Sequence, residues 1–162
     1  MATPPLQELA HDHRELSGLL VAVHEALTRI ERGTSRLDDE LHELTDGIEA
    51  FREALLEHFA KEQEGVLPWL ASRSTESSAR VDELIAQHDR IAEALTSVVK
   101  DLAGFEICSG PLGPTWSAAL ARFESLYAEH TQTETAFFSE VAASLKDDPA
   151  ATKQLRELLA ER

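Results

Sequence analysis

An all-α fold, an up-down-up-down four-helix bundle with a short fifth helix at the C-terminus, is predicted by three observations. Apolar residues recur at alternating steps of three and four through four long blocks. Glycine, proline, serine and threonine gather between those blocks. No strand-like alternation or Asn-Gly hairpin signal competes with them. The 162 residues suit one domain able to bury roughly two-thirds of its unfolded surface. Residues 1–146 are expected to form the bundle and 147–162 a short helix on or beside it.

Block one follows "TPP", where Thr3 supplies an N-cap ahead of two prolines. Its stripe reads Leu6, Leu9, His13, Leu16, Leu20, Val23, Leu27 and Ile30, and the turn "RGTS" (32–35) ends it. Block two opens on the capping-box pattern "SRLD" (35–38). It runs Leu37, Leu41, Leu44, Ile48, Phe51, Leu55, His58, Glu62, Gly65 and Trp69, ending at "SRSTESS" (72–78). Block three carries Val81, Leu84, His88, Ile91, Leu95, Val98, Leu102 and Phe105 up to "CSGPLGPT" (108–115). Block four carries Leu120, Phe123, Tyr127, His130, Glu134, Phe137 and Val141 up to "KDDPA" (146–150), where Asp148 before Pro149 starts the last helix.

Polar residues interrupt the apolar stripe in all four blocks. With a rise of about 1.5 Å per residue, antiparallel helices bring His13, His58, Glu62, His88, His130 and Glu134 within roughly two turns of one level. A lone histidine on such a stripe is usually a hydrogen-bonded core residue, and a lone HxxxE is weak evidence. Two glutamates on the buried stripe with no Lys or Arg in phase are harder to explain, because unpaired buried carboxylates are severely penalised. A multivalent cation removes that penalty, and imidazole with carboxylate suits iron, zinc or copper. His11, about 200° around the helix from His13, is expected at the surface, as are His24 and His42 on the flanks of their stripes. Glu57 and Glu64 also leave the stripe.

Composition narrows the function. Fifteen Lys and Arg stand against thirty Asp and Glu, a formal charge of −15 that repels phosphate backbones and anionic lipid, so neither nucleic acid nor membrane is expected as partner. Nowhere do 18 apolar residues run together, the N-terminus lacks a leader pattern, and the single Cys108 allows no internal disulfide. A cytoplasmic protein, monomeric or weakly dimeric, is expected.

The segments "HDHRELSGLL" at His13, "HFAKEQEGVLPWL" from His58, "IAQHDRIAEAL" at His88 and "HTQTETAFF" from His130 resemble the hemerythrin-like, HHE cation-binding domain over roughly residues 5–145. The ordered set His, HxxxE, His, HxxxE is specific where each piece alone is not. It also reads as an internal duplication, with 45 residues from His13 to His58 and 42 from His88 to His130. The resemblance implies a four-helix bundle holding two non-haem irons, bridged by two carboxylates and an oxo or hydroxo group. Position by position, His13 and His58 would hold one iron, His88 and His130 the other, and Glu62 and Glu134 would bridge. Zinc or another divalent metal fits the same ligands.

Oxygen-carrying members of that family have a second histidine on helix three. Here Leu84 and Ala92 stand four positions before and after His88, so both irons would keep an open position. That favours chemistry on hydrogen peroxide or a related small oxidant, such as a catalase-like activity, over pure oxygen carriage. The alternative is a non-enzymatic module that binds or senses oxygen or iron. Expected ligands are O2, H2O2 or NO. Tyr127, one turn before His130, could serve a small ligand by hydrogen bonding or proton donation, occupy a vacant position, or be the polar-tipped member of a core layer. Gln63, where the family often has a second Glu, is expected to act outside the ligand shell. Gly65 is expected either to leave room for a small ligand or to ease helix packing.

Overall fold

The computed structural model describes residues 6–32, 37–108 and 114–160. All of its regular elements are helical: α1 (Gln7–Arg32), α2 (Leu37–Lys61), a π-helical turn (Glu62–Val66), α3 (Leu67–Ala71), α4 (Thr75–Cys108), α5 (Pro114–Leu145) and α6 (Pro149–Ala160). The caps expected at Thr3 and Ser35, the turn at 109–113 and the side chains of Leu9, His11, Leu37 and Phe105 lie outside the described residues. Among the described residues no helix is long and apolar enough to cross a membrane.

Local chemistry explains the visible boundaries. The Ser74 hydroxyl accepts from the Ser77 N–H at 3.0 Å, so α4 starts at Thr75 and the linker expected over 72–78 shrinks to three residues. Asp148 caps α6 in the same way, accepting from the Ala151 N–H at 3.0 Å with Pro149 in the first helical position. Across the first turn, Arg29 of α1 binds Glu40 and Glu43 of α2. Trp116, buried near the start of α5, donates its indole N–H to the Val98 carbonyl of α4 at 3.2 Å.

The second block is not one continuous helix. At its π turn the Leu67 N–H reaches back five residues to the Glu62 carbonyl. The cause is Pro68, which has no N–H for the Glu64 carbonyl and whose ring would crowd it in a regular helix; a widened turn just ahead of the proline relieves both. The extra residue moves the buried stripe on by one. Gly65 is buried as expected, but Val66, Leu67 and Leu70 are fully buried beyond it while Trp69, expected in the core, is only half-buried.

Packing follows from the stripes. α1 lies against α2, α4 against α5, α2 against α4 and α3 against α4, while α6 touches the π turn and α5. In α4 and α5 the described stripe positions are buried from Val81 to Leu102 and from Leu120 to Val141. In α1 the stripe drifts, so that Ala26 is buried and Leu20, Leu27 and Ile30 are half-buried. Two apolar clusters result. One gathers Leu16, Leu44, Phe51, Leu55, Ile91, Val98, Phe123 and Tyr127; the other gathers Val66, Leu70, Leu84, Phe137 and, from α6, Ala151 and Leu155. Along α4, along α5, and from α2 through the π turn into α3, the sequence passes from one cluster to the other through a short polar layer.

Candidate metal centre

That layer is built by helix spacing. Residues four apart share a face, so His58 sits above Glu62 at the junction of α2 and the π turn, and His130 above Glu134 on α5. His13 on α1 and His88 on α4 complete it. The structure brings these six together in two overlapping groups, His13, His58, Glu62 and Glu134, and Glu62, His88, His130 and Glu134, each with ligand atoms all within 4.8 Å of one another. His24 and His42 are exposed and stand apart, beside Glu124 and Asp46.

The two glutamates divide their oxygens between the groups. Glu62 turns Oε1 to His58 and Oε2 to His88, each at 3.2 Å. Glu134 turns Oε1 to His13 at 3.5 Å and Oε2 to His130 at 2.9 Å. Each half of the chain therefore lends its carboxylate to a histidine of the other half. The histidine pairs match as well: the His13 and His58 rings meet edge-on at 4.7 Å and 69°, the His88 and His130 rings at 4.7 Å and 73°.

A family model, the hemerythrin HHE cation-binding domain, matches residues 5–142. The chain belongs to that family. Neither the curated proteins nor the solved structures gave a match. Membership implies a bound metal, typically iron, and the hemerythrin domain can be tested for its fit to one. Both oxygens of Glu62 and of Glu134, with Nε2 of His88 and of His130, are buried without a hydrogen-bond partner. His13 and His58 face each other through Nε2 at 3.0 Å. Donors about 2.1 Å from a shared cation and about 90–110° apart lie about 3.0–3.4 Å from each other, close to the 2.9–3.5 Å between neighbouring donors here. The donor set and its spacing fit a cation.

Electrostatics point the same way. Burial, reinforced by the charge of Glu134, pushes the Glu62 carboxyl well above its ordinary range. Burial alone would raise Glu134 too, but its contacts with His13 and His130 outweigh it and hold the carboxyl below that range. Burial, with His130 adding to it, drives His88 down to about 3. Burial also lowers His58, the charge of Glu134 opposing. Burial thus favours the neutral imidazole at His58 and His88 and the protonated carboxyl at Glu62, whose proton a bound cation would displace.

The residues around the six were harder to foresee. The Nδ1–H of His130 donates to the Gln87 amide oxygen at 3.1 Å, and Gln63 lies 3.0 Å from His88 Nδ1. Asp12 lies 3.5 Å from His58 Nδ1. Gln87 and Asp12, as acceptors at Nδ1, leave Nε2 of His130 and of His58 to face a metal. Phe59 stacks on the His88 ring at 3.8 Å and meets His130 edge-on at 5.5 Å. Asp12, Gln87 and Phe59 are not marked by the sequence pattern although each is the chain neighbour of one of the six; only Gln63 is expected there, outside the candidate ligand shell. Tyr127 closes the first apolar cluster, stacked on Phe123 and edge-on to Phe51. Its hydroxyl is buried with no well-formed hydrogen bond, and burial raises its pKa to about 12. Leu84 lies fully buried in the second cluster.

Proposed function

We propose that this hemerythrin domain holds two irons, one at His13 and His58 and one at His88 and His130, with Glu62 and Glu134 bridging. The observation that carries this reading is the division of each carboxylate between the two groups, which a single cation would not require. In this reading α1, α2, α4 and α5 run up, down, up and down as a bundle over residues 1–146, and 147–162 pack beside it.

We further propose that the centre acts on hydrogen peroxide or a related small oxidant, O2 and NO being alternative ligands. Iron there supplies redox and Lewis-acid chemistry. The protein supplies the rest. Its four imidazoles leave both metal positions open, since Leu84 adds no fifth. The apolar clusters on either side keep bulk water from the layer. Tyr127, kept protonated by burial, offers a buried O–H donor on the side of the first cluster. Disproportionation of peroxide to water and dioxygen balances without an outside reductant.

The test is metal analysis of purified protein with an absorption spectrum, followed by peroxide addition while oxygen is monitored. Two irons per chain and oxygen evolution that stops on chelation are expected. Two irons with a lasting spectral change on O2 or NO and no oxygen evolution would replace the enzyme by a binding or sensing module. One ion per chain would sink the two-metal reading.

A further inference from the structure

The two metal positions have matching ligands but unlike surroundings. His88 and His130 are sealed: His130 is fully buried, His88 lies under the Phe59 ring, and their outer nitrogens face the amides of Gln63 and Gln87. In the opposite pair His58 is as deeply buried as His88, and only His13 reaches the surface. The His13 side chain is 13% exposed, and Asp12, behind His58, is 26% exposed. From His58 a polar chain leads outward, through Asp12 at 3.5 Å to the ammonium of Lys61 at 3.8 Å, half-exposed at the end of α2. One ligand histidine is therefore backed by a charged carboxylate at the rim, whereas the inner two are backed by neutral amides.

We infer that the two ions are not equivalent: metal enters and leaves through the His13 and His58 position, and Asp12 is the positioning residue that retains the outer ion there. The inference rests on the two-metal reading above. The physical grounds are access and orientation. An ion at the inner position would have to leave past Phe59, buried Gln87 or half-buried Gln63, or across the outer position. The outer ion is separated from solvent by one partly exposed imidazole. A carboxylate accepting from Nδ1–H holds the ring with Nε2 inward and makes it a stronger donor than an amide would. Asp12 thus offsets the openness of its side of the site, with Lys61, shared with Glu57, beside that carboxylate.

Cobalt(II) alone is the probe. The full chain is loaded to two ions, challenged with excess chelator, and followed by the cobalt absorption bands. Release is expected in two phases of equal amplitude, the second at least about tenfold slower. Asp12→Asn should weaken retention of the fast-leaving ion by at least about tenfold while leaving the slow phase unchanged, and Asp12→Glu should restore part of the loss. A crystal taken after the fast phase should show cobalt, located by anomalous scattering, only at His88 and His130. Release in one phase, equal acceleration of both phases by Asp12→Asn, or cobalt remaining at His13 and His58 would each overturn the inference while leaving two ions per chain intact. Loading that saturates at one cobalt would instead bring down the two-metal reading, and the inference with it.

Discussion

Glu62 shows how one side chain couples stability to binding. Its folded-state pKa is raised above the ordinary 4.5, so the metal-free chain has this contribution in full below that value and loses it as pH rises through the folded pKa. Glutamine mimics the protonated form. Metal-free Glu62→Gln should therefore melt above the metal-free parent near about pH 8 but not near about pH 4, while binding much less metal than either the parent or His24→Ala. Equal melting at both pH values would mean that Glu62 carries no strain. His88 works in the opposite direction, its folded value near 3 making stability fall as pH drops from 6.5 towards 3. Tyr127→Phe removes a buried hydroxyl without a good partner, so stability should stay within about 1 kcal/mol or rise slightly. If the phenol serves a ligand, the azide-bound spectrum or peroxide turnover should change; if neither does, Tyr127 is a core residue. At this scale the six clustered side chains were legible because each broke an apolar stripe. Asp12, Gln87 and Phe59 were not, because their roles depend on which neighbouring helix they meet, which spacing along one helix does not encode.

Among the elements, the long helices were legible from period and punctuation, and the π turn was not. Gly65 and Pro68 marked the place, but hydrophobic spacing assumes a constant twist, and a single wide turn breaks that assumption. Its signature is the one-residue shift that puts Leu70 where Trp69 was expected. The turn thus holds one residue more than a regular helix of the same phase. Deleting exposed Glu64 together with Pro68→Ala should close the turn into ordinary α-helix and keep Leu67 and Leu70 facing the core. Deleting Glu53 from regular α2 should instead rotate one side of the helix by about 100° and unfold the domain. Circular dichroism and melting would separate the two. A Glu64 deletion as damaging as the Glu53 deletion would mean that the wide turn is not a simple one-residue insertion.

Over the whole molecule, the polar layer ties the fold to any cation it holds. The polar layer separates the two apolar clusters, and without a cation it leaves unpaired carboxylate and imidazole atoms at the centre. Removing metal should lower the melting temperature by about 8–16 °C for each ion lost, equivalent to about 4 kcal/mol per ion at a free-metal excess of about a thousandfold over its Kd. A metal-free chain as heat-stable as the loaded one would reduce the layer to a hydrogen-bonded core. The reciprocal loan of carboxylates has one more consequence. Residues before the 72–74 linker supply His13, His58 and Glu62, and those after it supply His88, His130 and Glu134, so neither part alone completes either group. Cut at the linker, the protein should become a pair of complementing fragments whose affinity for each other rises when metal is present, and mixing them with and without the ion would weigh the centre directly as an adhesive between two half-proteins.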